Sequence, residues 1–406
     1  MFKLILITLL LPLSVWAEPL TLNQAYQRIL EQSPAISASR KEILIKSAES
    51  LQAGLLPNPV LIVAGNRLGA KSVDDSNELF IGLAQLIELG GKRAARLGVA
   101  NAEELVAYWN DIIFLYDTYT RLMHAFIDTA AAQEKLQLAS DQLTIAEEWL
   151  KTVQEKAAGG KVAKIEEQRA AISHKGSEVL FQKAQAELEI AKRTLAGLWG
   201  SSCIDFDKVD FALYEVESLP PEEVLCQQIS LAPDFNKYSA EVTKGCEEIR
   251  LQKAYSFPDM TINAGIVARE TERDHPVSIG VEIPIPIFNL NQGNREKASI
   301  AYAQALDRLT EFEQNLSSKL NSLYTAWNVC FQEVATLKAT VVPWALETFQ
   351  LAHESYKEGK SEYLQLLDAQ KTLYEVKLQY LNAIAECQRK KADIDRLEGN
   401  VSWQIN

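Results

Sequence analysis

The feature that most constrains the fold is an internal repeat, because the chain resembles itself at an offset of about 200 residues. Similar short segments occur in the same order in both halves, 199 to 202 residues apart. The pairs are Gln32-Ser33-Pro34 with Leu231-Ala232-Pro233, Leu56-Pro57-Asn58-Pro59 with Ser256-Phe257-Pro258-Asp259, Gly91-Lys92-Arg93 with Gly293-Asn294-Arg295, Gly160-Lys161 with Gly359-Lys360, and Trp199-Gly200 with Glu398-Gly399. This pattern indicates a tandem duplication, so each half should fold into the same supersecondary unit.

Each half shows the same order of predicted elements: a helix, two strands and a long helical hairpin. We predict a first repeat over 18–200, a linker over 201–221, a second repeat over 222–399 and a tail over 400–406. The linker is predicted from Pro220-Pro221 and its acidic residues. The predicted strands cover 59–68 and 78–87 in the first repeat and 259–269 and 277–286 in the second, with hairpin tips near 159–160 and 359.

The hairpins are predicted to be unusually long. The segment 92–158 is rich in Ala, Leu, Glu, Gln and Lys, which are strong helix formers. A helix of about 65 residues extends roughly 100 Å, which does not fit a compact domain. Antiparallel coiled-coil hairpins fit better. Pro343 should kink the second hairpin, whereas its counterpart in the first repeat is Thr144, so the two hairpins should differ in shape.

The strands of the second repeat alternate strictly between aliphatic and polar or small residues. Period two places each set on its own face of a sheet. Strands of ~9–11 residues have the length of a bilayer-crossing strand. The polar face carries Thr261, Asn263, Arg269 and Glu282, which would then face the lumen of a barrel. A soluble sheet packed on the helices would show the same alternation.

Four strands cannot close a barrel, and an open sheet edge is not tolerated in lipid. The barrel must therefore be shared between copies of the chain. Two copies give eight strands with an interior filled by side chains, and three give twelve strands with a lumen. The predicted fold is α+β, in which a homotrimer forms a 12-stranded transmembrane barrel and the helical hairpins form a periplasmic barrel.

The N-terminus predicts export. Residues 1–17 contain Lys3, an apolar stretch over 4–13 and small residues at the predicted cleavage site, which is typical of a signal peptide. An uncleaved membrane anchor is the alternative. No Cys follows the cleavage site, so an N-terminal lipid anchor is not expected. We expect the mature protein in the outer membrane, with a large periplasmic part.

Composition argues against several classes of function. With 41 Lys and Arg against 54 Asp and Glu, the formal net charge is −13, which disfavours nucleic-acid binding. No catalytic, phosphate-binding or metal-binding spacing of residues occurs, so we expect no enzyme activity, no cofactor and no metal site. Cys330 and Cys387 lie almost equally far from the tip at residue 359, hence at similar heights on antiparallel helices, which is compatible with a disulfide.

The chain resembles the TolC-type outer membrane factor family over essentially the whole predicted mature sequence, and its motifs look most like the CzcC-like branch. The motifs are Gln52-Ala53-Gly54-Leu55-Leu56-Pro57-Asn58-Pro59, Ile87-Glu88-Leu89-Gly90-Gly91-Lys92-Arg93, Ile283-Pro284-Ile285-Pro286-Ile287-Phe288-Asn289 with Gln292-Gly293-Asn294, and Tyr363-Leu364 with Leu367-Asp368-Ala369-Gln370. The resemblance implies an outer membrane channel that passively conducts substrate, in this branch heavy-metal cations. It also implies a periplasmic adaptor and an inner membrane transporter of the resistance-nodulation-division type.

The resemblance further assigns roles to residues at the hairpin tips. Tip residues would contact the adaptor, namely Gly159, Gly160, Lys161, Gly359 and Lys360. Asp368 matches an acidic position that constricts the closed channel, Gln365 replaces a second acid, and Glu166 follows the first tip. For Asp368 the alternative is a solvated carboxylate that offsets the helix dipole, and the tip lysines could instead complement helix ends.

Two other functions fit much of the same sequence. The first is a drug or protein export channel of the same fold. The second is a soluble periplasmic coiled-coil scaffold, which would lack any membrane-spanning sheet.

Overall fold

The computed structural model of the chain describes residues 19–66, 78–160, 162–228, 232–269 and 275–399. The predicted signal peptide, the last two residues of the predicted strand 59–68, Lys161 and the predicted tail 400–406 lie outside these residues. The predicted α+β fold is confirmed, because long antiparallel helices extend from one four-stranded sheet.

The first repeat contains the expected elements, except that the predicted first helix is divided into two at Ser33 and a short strand precedes it. They are β1 (Leu20–Thr21), α1 (Leu22–Gln32), α2 (Pro34–Ala53), β2 (Val60–Asn66), β3 (Glu78–Ile87), α3 (Lys92–Ala158) and α4 (Lys164–Gly197). The second repeat has the same order after a short strand in the connecting segment. Its elements are β4 (Val209–Asp210), α5 (Glu222–Gln228), α6 (Pro233–Ala254), β5 (Met260–Arg269), β6 (Val277–Glu282), α7 (Gln292–Thr336), α8 (Val342–Lys357) and α9 (Tyr363–Glu398).

Equivalent backbone positions in the two repeats have equivalent conformations. Pro34 and Pro233 each occupy the first turn of a helix, where a missing N–H costs nothing. Gly160 and Gly359 both adopt positive φ, 69° and 72°, where the helices turn at the tips. The helices α3 and α7 both begin after a left-handed N-cap, but in α7 this residue is Asn291. The structural counterpart of Gly91 is therefore Asn291 and not Gly293.

The two hairpins differ where the sequence contains Pro343. In the first repeat α3 continues without interruption for 67 residues. In the second, a π-helical segment, Leu337–Val341, separates α7 from α8. The N–H of Val342 bonds to the carbonyl of Leu337, five residues back. Because proline has no N–H to donate, the regular i to i−4 pattern cannot continue through Pro343.

The four long strands form one antiparallel sheet in the order β2-β3-β5-β6. Strand β3 of the first repeat pairs with β5 of the second along its whole length, with Gly82 opposite Gly265. Strand β6 ends at Glu282, four residues before the predicted end at 286. The prediction was wrong there because Pro284 and Pro286 have no amide hydrogen for a strand ladder.

Two apolar clusters hold the helices together near the middle of the molecule. One packs α1 and the end of α4 against α3, through residues such as Ile29, Phe126 and Leu195. The other packs α7 and α9 against α3 around Leu320 and Ile384. Among the described residues, no helix combines the length and the apolar character that a membrane crossing requires.

The segment predicted as a linker takes part in both clusters. Strand β4 pairs in parallel with β1. The side chains of Phe206 and Val209 are buried in the first cluster, and Leu213 is buried in the second. Residues 201–221 therefore fasten the two repeats together.

Candidate functional site

One face of the sheet is a continuous aliphatic surface. The strand register aligns odd-numbered residues of β2 and β3 with even-numbered residues of β5 and odd-numbered residues of β6. The exposed side chains on this face are Leu61, Val63, Leu79, Ile81, Leu83, Ile266, Val277, Ile279 and Val281, which are 42 to 75% exposed. A soluble protein would bury such a surface, whereas a bilayer core solvates it.

The opposite face carries all four residues predicted to line a lumen, together with apolar side chains such as Phe80 and Val267. Thr261 lies directly opposite Glu282 in the register. Arg269 donates through Nε to Glu78 Oε1 at 2.9 Å, and these residues are also register partners. Asn263 lies on the same face between them. The sequence did not single out Glu78, because its pairing with Arg269 depends on the register between the two repeats.

The two edges of the sheet are unpaired within the described chain. Strand β2 pairs only with β3, and β6 pairs only with β5. An edge strand presents a row of free N–H and C=O groups. In a bilayer each such group would cost several kcal/mol, so a membrane-inserted sheet of this kind requires a further strand at each edge.

The Glu88-Leu89-Gly90-Gly91-Lys92-Arg93 segment forms the junction between the sheet and the helices. Lys92 is 5% exposed, and its Nζ lies 2.7 Å from Asp259 Oδ1 of the second repeat. The same carboxylate oxygen accepts the N–H of Leu89 at 3.1 Å. A Cβ on Gly90, which has φ of 69°, would lie 2.7 Å from Phe257 Cβ. In the sequence this motif only marks the resemblance to a family. The structure shows that its residues also pack the first repeat against the second at this junction.

Arginines of the same junction satisfy the carbonyls at the end of α2. Arg96 pairs with Glu88, and its Nε donates to the carbonyl of Ala53 at 3.3 Å. Arg93 donates to the carbonyl of Gly54. Unsatisfied carbonyls at a helix C-terminus favour such cationic donors.

The two hairpin tips pack against each other at the far end of the helices. Trp149 of α3 contacts the ring of Tyr356 of α8 at a centroid distance of 5.5 Å, and Tyr363 of α9 lies 5.7 Å from Tyr356. Lys156 Nζ lies 4.0 Å from the centroid of the Tyr356 ring. Trp149, Tyr356 and Tyr363 are buried in one apolar cluster that joins the first repeat to the second.

The predicted adaptor-contact residues lie at the turns themselves. Gly160 and Gly359 have open space where a Cβ would be, while Gly159 keeps a negative φ of −81°. Lys360 is exposed and pairs with Glu358 at 2.6 Å. The position of Lys161 is not described. A tight glycine turn with open surroundings allows another backbone to approach closely.

The three gate candidates fall into two different environments. Asp368 and Gln365 are exposed and lie one turn apart on α9, beside a cleft that Lys360 and Thr372 also line. Glu166 points into the tip cluster, where its Oε2 is buried without a hydrogen-bond partner. Burial, the neighbouring Tyr356 and the carboxylate of Glu166 raise the pKa of Tyr363 to about 12. The structure therefore brings Asp368 and Gln365 together and separates Glu166 from them.

Cys330 and Cys387 are both buried and lie on the facing helices α7 and α9. Their sulfurs are not bonded to each other in the structure, and Cys330 Sγ donates to the carbonyl of Ala383 at 3.3 Å.

Within the described ranges, no group of three or more His, Cys, Asp and Glu side chains is arranged to hold a metal.

A two-faced sheet with an aliphatic surface, continued by long helical hairpins, defines a channel-forming outer membrane protein. A family model described as outer membrane efflux protein matches residues 224–400. The chain is 30% identical to the cobalt-zinc-cadmium resistance protein CzcC of Cupriavidus metallidurans, over 94% of this chain and 91% of the relative. The chain belongs to the outer membrane efflux protein family.

Two further similarities agree with this. The nickel and cobalt resistance protein CnrC of Cupriavidus metallidurans is 23% identical over 77% of this chain and 78% of its own length. A crystal structure of CusC superimposes with a TM-score of 0.79 over 94% of this chain and 93% of that chain. Its sequence identity is 16%, so this likeness concerns the fold.

Proposed function

We propose that the protein is a homotrimeric outer membrane channel that passively conducts heavy-metal cations out of the cell. The cations would arrive from an inner membrane transporter of the resistance-nodulation-division type through a periplasmic adaptor. The observation that carries this proposal is the four-stranded sheet, with its exposed aliphatic face, the polar residues on its opposite face and its two free edges. Residues 1–17 would be removed on export, and the repeats 18–200 and 222–399 would act as two halves of one unit.

The free edges support an assembly of several copies. If β6 of one copy pairs with β2 of the next, the edges disappear and the sheets close into a barrel. Three copies supply twelve strands, which leave a lumen, whereas eight strands are filled by their own side chains. The lumen would be lined by Thr261, Asn263, Arg269 and Glu282 from each copy.

An exposed stripe on α4 supports the same assembly. Ile165, Ile172, Val179 and Ile190 are 55, 72, 49 and 63% exposed. Their spacings of seven and eleven residues place them along one side of a helix. Such a stripe is typical of a helix that packs against a further helix, and a neighbouring copy would cover it.

The exposed carboxylate of Asp368 supports a gate near the tips. Three copies around an axis would form a ring of three carboxylates, which attracts cations and hinders anions. Gln365, one turn closer to the tip, would add a ring of polar amides. Glu166 differs from these two residues, because its carboxylate lies near Tyr356 and Tyr363 of the second hairpin.

The open glycine turns support adaptor docking. Gly160 and Gly359 leave space around the backbone, and Gly159, Lys161 and Lys360 surround the two turns. A partner helix could approach these turns closely, with the lysines pairing to its acidic side chains.

The cargo is proposed from the relatives, whose names specify resistance to cobalt, zinc and cadmium and to nickel and cobalt. The test is a deletion strain grown on graded concentrations of these metals and of unrelated antibiotics. We expect sensitivity to metals that is restored by the plasmid-borne gene, with antibiotic tolerance unchanged. Antibiotic sensitivity without metal sensitivity would indicate a drug channel, and recovery of the protein in the soluble periplasmic fraction would overturn the channel assignment.

A further inference from the structure

Two buried cysteines face each other between the two longest elements of the second repeat. Cys330 on α7 is 6% exposed and Cys387 on α9 is 0% exposed. Cys330 Sγ lies 3.3 Å from the carbonyl oxygen of Ala383, which is one helical turn before Cys387. Cys330 therefore packs on the helical turn that precedes Cys387, and both side chains belong to one buried cluster. A disulfide requires neighbouring side chains of this kind on facing elements.

The surroundings of the pair are apolar. Trp327, Val334 and Ile384 belong to the same buried cluster. Burial and the adjacent Cys330 raise the pKa of Cys387 to about 12, and burial likewise raises the pKa of Cys330. Because both side chains are buried and disulfide exchange requires access to the sulfur, an oxidising protein cannot reach either thiol once the cluster has closed. Any oxidation must occur while the chain is still folding.

We propose that Cys330 and Cys387 form a disulfide during folding in the periplasm. The oxidant is a disulfide-bonded oxidoreductase of that compartment. One cysteine thiolate of the chain attacks the disulfide of the oxidoreductase and forms a mixed disulfide with it. The second thiolate of the chain then attacks this mixed disulfide and releases the reduced oxidoreductase. Two S–H bonds of the chain break and one S–S bond forms. Two electrons and two protons pass to the oxidant, whose disulfide becomes a pair of thiols.

The position of the cross-link gives it a mechanical consequence. It would close a loop over residues 330–387 that contains the π-helical segment Leu337–Val341 and the tip at Gly359. The cross-link would prevent α7 from sliding along α9 on the barrel side of the π-helical segment. Bending of the second hairpin would then be confined to the part between that segment and the tip. This inference requires export but does not depend on channel activity.

The other three cysteines provide an internal standard for a test. Cys203, Cys226 and Cys246 are exposed free thiols. The full chain would be purified from membranes, unfolded without reductant in the presence of an alkylating reagent, and weighed by mass spectrometry. We expect three labels before reduction and five after it, since the chain has five cysteines.

Two single substitutions identify which cysteines are paired. In Cys330→Ser and in Cys387→Ser, loss of the cross-link frees the other cysteine of the pair, so we expect four labels without reduction in both variants. Five labels in the wild-type protein would overturn the proposal, and so would two labels in either variant, because the disulfide would then join other cysteines. If either variant does not accumulate, a non-reducing digest of the wild-type protein decides the question. Failure to find the linked peptides that contain Cys330 and Cys387 would equally overturn the proposal.

Discussion

The ion pair between Lys92 and Asp259 should be one of the largest single contributions to the junction of the two repeats. The Lys92 side chain is 6% exposed and that of Asp259 is 26% exposed, with 2.7 Å between Nζ and Oδ1. Removing one member of a buried pair typically costs about 3–5 kcal/mol, because the other charge stays buried without compensation. For the partly exposed Asp259 we take the lower limit, about 3 kcal/mol, which is roughly a 100-fold change in the unfolding equilibrium.

The substitution Asp259→Asn tests this expected loss in the free energy of unfolding. It keeps the side-chain volume and one oxygen acceptor for the N–H of Leu89. Unfolding of the detergent-solubilised protein in urea would be followed by far-UV circular dichroism. The matched control is Glu178→Gln, since Lys175 and Glu178 lie 2.8 Å apart but are exposed, at 72 and 35%. We expect the urea concentration at the midpoint of unfolding to fall clearly for Asp259→Asn and not to change measurably for the control.

A double substitution separates charge from packing. Replacing both members, as Lys92→Met with Asp259→Leu, removes the uncompensated charge and should recover most of the lost stability. Equal unfolding midpoints for Asp259→Asn and Glu178→Gln would contradict the stabilising role of this ion pair. A double variant that is as unstable as Asp259→Asn would show that the loss comes from packing or from the unpaired N–H of Leu89.

Three further predictions concern the sheet, a tip and one buried carboxyl group. Ile279→Lys on the aliphatic face should cost about 2–4 kcal/mol at the bilayer midplane and reduce the protein recovered in outer membranes, whereas the neighbouring Ser278→Lys should be tolerated. Gly359→Ala should destabilise the tip by about 1–2 kcal/mol because of its positive φ, and Gly159→Ala, with negative φ, should not; limited proteolysis at the tip measures the difference. Burial raises the pKa of Glu398 to about 7, so its protonated form is favoured in the folded state. Stability should therefore fall as pH rises from about 4.5 to about 7, and Glu398→Gln should flatten the dependence of the melting temperature on pH over this range.

The repeat and the strand pattern made much of the fold predictable. Period-two alternation predicted a strand over 78–87, and β3 spans Glu78–Ile87. The local chemistry of proline explains why the end of β6 was predicted too far along the chain, since Pro284 and Pro286 follow this strand. Pro343 indicated an irregular second hairpin, although the sequence did not show that the irregularity would be a π-helical segment.

Pairings between the repeats could not be predicted, because they depend on how two distant segments align in space. Lys92 meets Asp259, and Glu78 meets Arg269, only because β3 pairs with β5 in one register. The environment of Glu166 was unpredictable for the same reason. Its position shortly after Gly160 suggested a gate residue, but in the structure its carboxylate lies near Tyr356 of the second hairpin. Composition and spacing carry no information on these contacts.

Single-channel recording would test directly whether the assembled protein conducts cations through the proposed ring of Asp368 carboxylates. Purified wild-type protein and Asp368→Ala would be inserted into planar lipid bilayers in the same salt. We expect a small, cation-preferring conductance in the wild-type protein, with a larger conductance and weaker cation preference in Asp368→Ala. Unchanged conductance and selectivity in the variant would contradict the role of Asp368 as a gate residue. The absence of any channel activity from correctly assembled protein would contradict the proposed channel function.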